Sequence, residues 1–328
     1  MNVYWVSQAG IAPHPSAELR ALLARDDGFV WVDLPTCDAP TAATLGEAFG
    51  FHPLALQECC ERTHVPKLHA YADHLFVILH APDPGDSGHI HLLELDQFVG
   101  RRFLVTVHGP LGAGVELEAA LRETRAASAR IASGRYRPTH PAELSYAIVS
   151  AIARRMEALV TALARRIAEL ERQVMQGHVT HMERTLELMF HLRHELLTIR
   201  TSAAHSREIY ARISALAPRF VPAHERLFLD DLVDQFDRVR NICDGEQAFL
   251  QGVIDFYQTR TITKLNIAME RLALLSALLL PVTAIASIYG MNVIVFQHTE
   301  LSQVIGVLAV IGVIMGVMFV WSKRQGWW

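Results

Sequence analysis

The spacing of apolar and polar positions divides the chain into three textures. Up to about residue 135, short β-rich runs alternate with helix-like segments. The runs are Val3–Val6, Phe29–Asp33, Leu75–His80, His91–Phe98 and Phe103–His108; the segments are Ser16–Arg25, Thr41–Phe49 and Pro53–Glu61. This alternation predicts an α/β domain. The cluster Ala81-Pro82-Asp83-Pro84-Gly85-Asp86-Ser87-Gly88 predicts a loop between neighbouring strands. From about residue 139 the apolar spacing becomes helical. Pro141–Met175 and Glu183–Leu216 predict two long helices, and Pro218 and Pro222 mark the break before a third. No proline then occurs until Pro281, so the pattern allows one helix of about 65 residues, roughly 100 Å long. Along it Leu229, Leu232, Phe236, Val239, Cys243, Leu250, Val253 and Tyr257 keep a 3.5-residue repeat, with Glu246 as the polar interruption. That repeat predicts a coiled-coil seam, for which self-association is the simplest supply of partners.

Two stretches of 18 residues carry no charge, Leu272–Tyr289 and Val304–Trp321. Each would span roughly 27 Å as a helix, enough to cross a bilayer. The short connection between them predicts a hairpin. Arg260, Lys264 and Arg271 precede the first span and Lys323 and Arg324 follow the second, whereas the connection from Gly290 to Gln303 has no Lys or Arg and carries Glu300. The asymmetry predicts that both termini are cytoplasmic, with Trp321, Trp327 and Trp328 at the inner interface. On the first span Asn266, Met269, Leu272, Ser276, Leu280, Thr283 and Ser287 recur at intervals of three and four and share one face. Polar side chains in hydrocarbon go where they find partners or water. A ring of such helices would turn this stripe to a central axis as polar collars and apolar constrictions, the layout of a gated pore; the alternative is hydrogen-bonding glue between helices.

Composition narrows the choices. The chain of 328 residues is 51% hydrophobic, and most of the excess lies after residue 271. Net charge is −4, which argues against a nucleic-acid partner held on a basic surface. Cys37, Cys59, Cys60 and Cys243 lack disulfide-framework or zinc-finger spacing and read as buried thiols in a reducing compartment. No signal peptide is expected from the N-terminal residues. No phosphate-cradling glycine loop or Gly-x-Ser-x-Gly occurs, so an enzyme is not expected and no cofactor is called for. Seventeen histidines are present. The pairs His178/His181 and His191/His194 could chelate a metal from one helix face, but each would need further ligands, and solvated faces explain them as well.

The sequence Tyr289-Gly290-Met291-Asn292 at the end of the first of two C-terminal spans, and the ending Lys323-Arg324-Gln325-Gly326-Trp327-Trp328, resemble the CorA family of divalent-cation transporters. The resemblance continues through Asn266, Met269, Pro281-Val282-Thr283 and Ile285-Ala286, and in the first domain through Phe51-His52-Pro53-Leu54-Ala55, Pro66-Lys67, Tyr71 and Leu75-Phe76. It implies an α+β membrane protein: an N-terminal α/β cytoplasmic domain, a long helical stalk and two C-terminal transmembrane helices in a funnel-shaped homopentamer of the inner membrane. The implied organisation is an α/β domain over 1–138, a stalk over 139–268, a pore-lining span over 269–290, an external loop over 291–303, a second span over 304–322 and a tail over 323–328. Gly290, Met291 and Asn292 would form the selectivity filter, with Asn266, Met269, Leu272, Ser276, Leu280, Thr283 and Ser287 lining the pore below. Neutral Asn292 carbonyls could accept hydrogen bonds from a hydrated ion and still release it. Mg²⁺ would be both transported and regulatory ion, Co²⁺ or Ni²⁺ being further substrates. Asp255 would stand at the cytoplasmic pore entrance. Asp230 and Asp231 would serve a regulatory metal site, with Asp83 or Asp86 as partner acid. The loop from Val293 to Leu301 departs from the family pattern and keeps only Glu300-Leu301. A zinc transporter of the same superfamily and a non-conducting membrane scaffold are the alternatives; a scaffold has no need of Asn266, Thr283 and Asn292 on one axis.

Overall fold

A computed structural model of the chain describes residues 1–85, 89–112, 114–176, 182–216, 226–290 and 301–324. These divide into two units, Met1–Gly252 and Val253–Trp328.

The first unit is built on a seven-stranded sheet: β1 (Asn2–Ser7), β2 (Gly10–His14), β3 (Phe29–Leu34), β4 (Lys67–Ala70), β5 (His74–Pro84), β6 (Ile90–Gly100) and β7 (Phe103–His108). Their order is β2-β1-β3-β7-β6-β5-β4. Only β3 and β7 run parallel, with Val30 opposite Phe103 and Val32 opposite Val105. β3 is buried at every position, as a central strand covered on both faces must be. One face carries Val3, Trp5, Val30, Val32, Phe76, Ile78, Phe98, Val105 and Val107 against the short helices α1 (Leu19–Leu23), α2 (Ala39–Phe49) and α3 (Pro53–Cys60). Phe51 sits at the middle of this layer, stacked on Phe98 with centroids 4.0 Å apart. The Asp38 carboxylate caps α2 by accepting from the Thr41 amide at 2.9 Å, and His52 Nδ1 caps α3 by accepting from Leu54 at 3.2 Å. Between these helices Gly50 ends α2 at φ +72°, a left-handed turn that glycine makes without strain.

The other face is covered by α4 (Leu117–Ala120), α5 (Arg122–Ala132), α6 (Pro141–Gln176) and α7 (Met182–Leu216). The two long helices appear where the apolar periodicity put them. On α6, Ile148, Ile152, Met156, Val160, Leu163, Ile167 and Leu170 are buried; on α7, Met189, Leu192, Leu196, Ile199, Ala203, Tyr210 and Ile213 are. At about 25 cal/mol per Å² of apolar surface, such seams supply most of the helices' stability. A salt bridge from Arg166 to Glu195, 2.8 Å, ties them together.

α8 (Arg226–Gly290) is a single helix of 65 residues, and α9 (Leu301–Arg324) is the second apolar helix. Three expectations change. The turn cluster is shorter than expected, because Ala81–Pro84 continue β5 opposite Ile90–Leu93. Gly85 donates to His89 O at 2.7 Å, so odd-numbered amides face β6 and the nitrogens of Pro82 and Pro84 face away from it. β4 pairs β5 only from Leu75 to Ile78, and so the prolines withhold no ladder bond. The edge strands β2 and β4 were not anticipated: each is short, and β4 buries only Leu68 while β2 buries nothing. Finally, the 3.5-residue seam is not open for self-association over residues 226–252. Leu229, Leu232, Phe236, Val239, Cys243 and Leu250 are already buried within the chain. Phe236 stacks on Tyr210 of α7 at 6.0 Å, and Gln235 accepts from Ser150 of α6 at 3.0 Å.

Candidate ion pathway

α8, over Arg226–Ile288, and α9, over Val304–Arg324, each contain a window long and apolar enough to cross a membrane. Their exposure is not uniform around the axis. The least exposed positions on this part of α8 are Leu274, Leu278, Pro281 and Ile285 with Val282 beside them; on α9 they are Val307, Ile311, Ile314, Met318 and Ser322. The two rows share a spacing of three and four, so each lies along one face of its helix. At about 100° per residue, Met269, Leu272, Ser276, Leu280, Thr283 and Ser287 point roughly 130–170° away from the α8 row. All six are exposed, Met269 at 67% and Leu272 at 66%. Asn266, one turn earlier, is also exposed.

The hydroxyls on this face are not spent on α9. Ser276 Oγ donates to Leu272 O and Thr283 Oγ1 to Leu279 O, both at 2.9 Å within α8. Such back-bonding satisfies the proton and leaves oxygen lone pairs directed outward. Pro281 lies in the half-buried row and cannot donate to Ala277 O, a carbonyl freed inside the apolar segment. Gly290 is the last residue of α8; Met291 and Asn292 lie outside the described residues.

The acidic candidates are distributed along the first unit and the start of the second. Asp231 is exposed on α8 and accepts from Tyr146 Oη at 2.6 Å and from Gln235 Nε2 at 2.5 Å. Burial, then Asp231, pushes the Tyr146 phenol up from its ordinary value, so it remains a donor. Asp230, exposed beside it, accepts from Ser214 at 2.7 Å. Asp255 is exposed on α8. Asp83 is committed otherwise: its carboxylate pairs with Arg155, which also meets Glu123 at 3.2 Å, and with Arg122 at 3.6 Å. A carboxylate matched by two guanidinium groups has little charge left for a dication. Asp86, His178 and His181 lie outside the described residues; His191 pairs with Glu187 at 3.7 Å. Among the described residues no group of three metal-ligating side chains is close enough to hold an ion. Tyr146, Gln235 and Arg155 were missed by sequence reasoning. Tyr146 is 85 residues from Asp231 and Arg155 is 72 from Asp83, and no linear spacing signals such pairs.

Beneath the sheet lies a second concentration of titratable groups. Asp96 is fully buried with neither carboxyl oxygen hydrogen-bonded, and Glu94, next but one on β6, leaves Oε1 unpaired. Burial and the neighbouring Glu94 push the Asp96 carboxyl far above its ordinary value. Burial likewise raises Glu94 to about 7, although the Thr63 amide, donating to Oε2 at 2.7 Å, works against it. His80 Nε2 meets the carbonyl of the same Thr63 at 2.7 Å, and burial pushes that imidazole down, favouring its neutral form.

An α/β domain followed by a long helix that runs into one of two membrane-length helices, with a partly polar exposed stripe, is an architecture that fits a membrane transporter. The chain belongs to the CorA-like Mg²⁺ transporter family, whose description matches residues 26–324. It is 28% identical over 306 residues to YfjQ of Bacillus subtilis, which carries the name of a metal ion transporter, covering 92% of this chain and 91% of that one. It is 24% identical over 290 residues to the cobalt/magnesium transport protein CorA of Thermotoga maritima, covering 86% and 78%. The complete structure of the CorA magnesium transporter from Methanocaldococcus jannaschii superposes with a TM-score of 0.80 at 18% identity, covering 100% of this chain and 99% of that one.

Proposed function

We propose that this protein is a channel-like transporter of divalent cations, Mg²⁺ first among them, in the inner membrane with both termini cytoplasmic. Five copies surround an axis lined by the second half of α8. The observation that carries the reading is the stripe from Met269 to Ser287, which is exposed, polar in part, and set opposite the less exposed row of α8. A face of mixed Ser, Thr, Met and Leu suits neither lipid nor a dry contact, but it suits a water-filled lumen interrupted by constrictions. The names borne by the B. subtilis and T. maritima relatives support a metal-ion cargo.

At the outer mouth, Gly290, Met291 and Asn292 act as the filter. Mg²⁺ sheds water reluctantly, so a ring of neutral amides selects a hydrated ion by size and lets it leave. Toward the cytoplasm, Met269 and Leu272 form a collar too apolar for a hydrated dication to cross when closed. Divalent ions bound near Asp231 and Asp230 hold the long helices together. When internal Mg²⁺ falls, repulsion among the unoccupied acids, Asp255 included, loosens the bundle and widens the collar.

The test is flux into proteoliposomes, with Mg²⁺, Co²⁺, Ni²⁺ and Zn²⁺ compared. Asn292→Ala should abolish or severely reduce divalent flux while the oligomer persists. Parent-like flux in that variant would refute the filter. A preference for Zn²⁺ would move the cargo to that ion, and no flux of any dication from intact oligomers would favour a scaffold.

A further inference from the structure

Two of the four thiols are neighbours in space. Cys37 lies in the segment between β3 and α2, and Cys60 is the last residue of α3. Their Sγ atoms are 3.7 Å apart, and both residues are half-buried. Cys59 is fully buried beside Asp96, and Cys243 is buried on α8. A disulfide requires a separation of about 2.05 Å, so the sulfurs need approach by only about 1.7 Å. Both belong to places that can yield: Cys37 precedes the Asp38 cap in irregular backbone, and Cys60 ends its helix.

We propose that Cys37 and Cys60 form a reversible disulfide, a modification site that responds to hydrogen peroxide. Cys60 supplies the first nucleophile: its thiolate attacks one peroxide oxygen, the O–O bond breaks, and hydroxide leaves and is protonated to water. The sulfenic acid left on Cys60 is then attacked by the Cys37 sulfur. The S–S bond forms, the S–O bond breaks, and the second water departs with the Cys37 proton. Two thiols are oxidised and one peroxide is reduced to two waters. Burial, with the thiol of Cys60 beside it, pushes Cys37 up to about 12, so its thiolate is scarce at neutral pH and the second step is slow there and faster as pH rises. In a reducing cytoplasm the pair rests as two thiols. Oxidation links the entry of α2 to the end of α3, on the sheet face that carries the Phe51 layer.

The experiment uses the full chain in detergent, treated with hydrogen peroxide at mildly alkaline pH before denaturation and alkylation. The expected result is loss of two of the four free thiols, a mass lower by two hydrogens, a linked peptide pair containing Cys37 and Cys60, and full reversal by dithiothreitol. Cys37→Ser and Cys60→Ser should each abolish the link, whereas Cys59→Ser and Cys243→Ser should keep it. Should a serine at position 37 disturb packing, Cys37→Ala serves the same purpose. Retention of all four thiols, oxygen added to single cysteines without a link, or a link through Cys59, Cys243 or a second copy would each overturn the proposal.

Discussion

Glu94→Gln should stabilise the first unit above neutral pH and leave it unchanged in acid. Glu94 is 5% exposed, and burial lifts its carboxyl from 4.5 to about 7. The folded state therefore keeps a proton that the unfolded state releases. Stability from this group is complete below pH 4.5, declines as pH rises, and is lost by about 7. Each tenfold change in proton affinity is worth about 1.4 kcal/mol, so ionised Glu94 disfavours folding by about 3 kcal/mol. Glutamine imitates the neutral acid: its carbonyl still accepts from Thr63, and its amide can donate to the unpaired Asp96 oxygens. Urea unfolding of parent and variant in detergent, followed by the fluorescence of buried Trp5 and Trp31, should separate their midpoints on the alkaline side of the window only. An equal gain on both sides, or a loss on the alkaline side, would refute the account of a buried acid held neutral.

Phe236→Ala should destabilise the first unit by about 3–5 kcal/mol, read as a lower urea midpoint, because it empties a fully buried site stacked on Tyr210. Leu272→Gly or Met269→Gly should leak dications at internal Mg²⁺ that closes the parent; a variant as tightly inhibited as the parent would place the gate elsewhere. Asp231→Asn should weaken inhibition by internal Mg²⁺ at unchanged maximal flux, measured as flux against internal concentration. Native mass in detergent should correspond to five copies, and a stable monomer or dimer would remove the central axis.

Much of the architecture is written in local pattern. The membrane-length helices follow from 18 uncharged residues each, since nothing but a helix satisfies its own backbone in lipid. Most of the 65-residue α8 follows from a proline-free run between Pro222 and Pro281, although the helix continues through Pro281 to Gly290, and α6 and α7 follow from a 3.6-residue repeat. The shared face from Met269 to Ser287 was legible for the same reason, because a helix converts sequence interval into angle. What remained hidden depends on distance across the fold. Edge strands β2 and β4 bury too little to leave an alternating trace, and over residues 226–252 the partner of the α8 seam is the chain's own α6 and α7. Asp83 reads in the sequence as a loop acid, yet its meaning comes from Arg155, brought to it by α6 crossing the sheet. Cys37 and Cys60 have no telling spacing, and Asp96 looks like any strand carboxylate until β6 is covered on both faces. Periodicity fixes which way a side chain points along its own element; only packing decides what it meets, and for buried charge and thiol chemistry the neighbour sets the property.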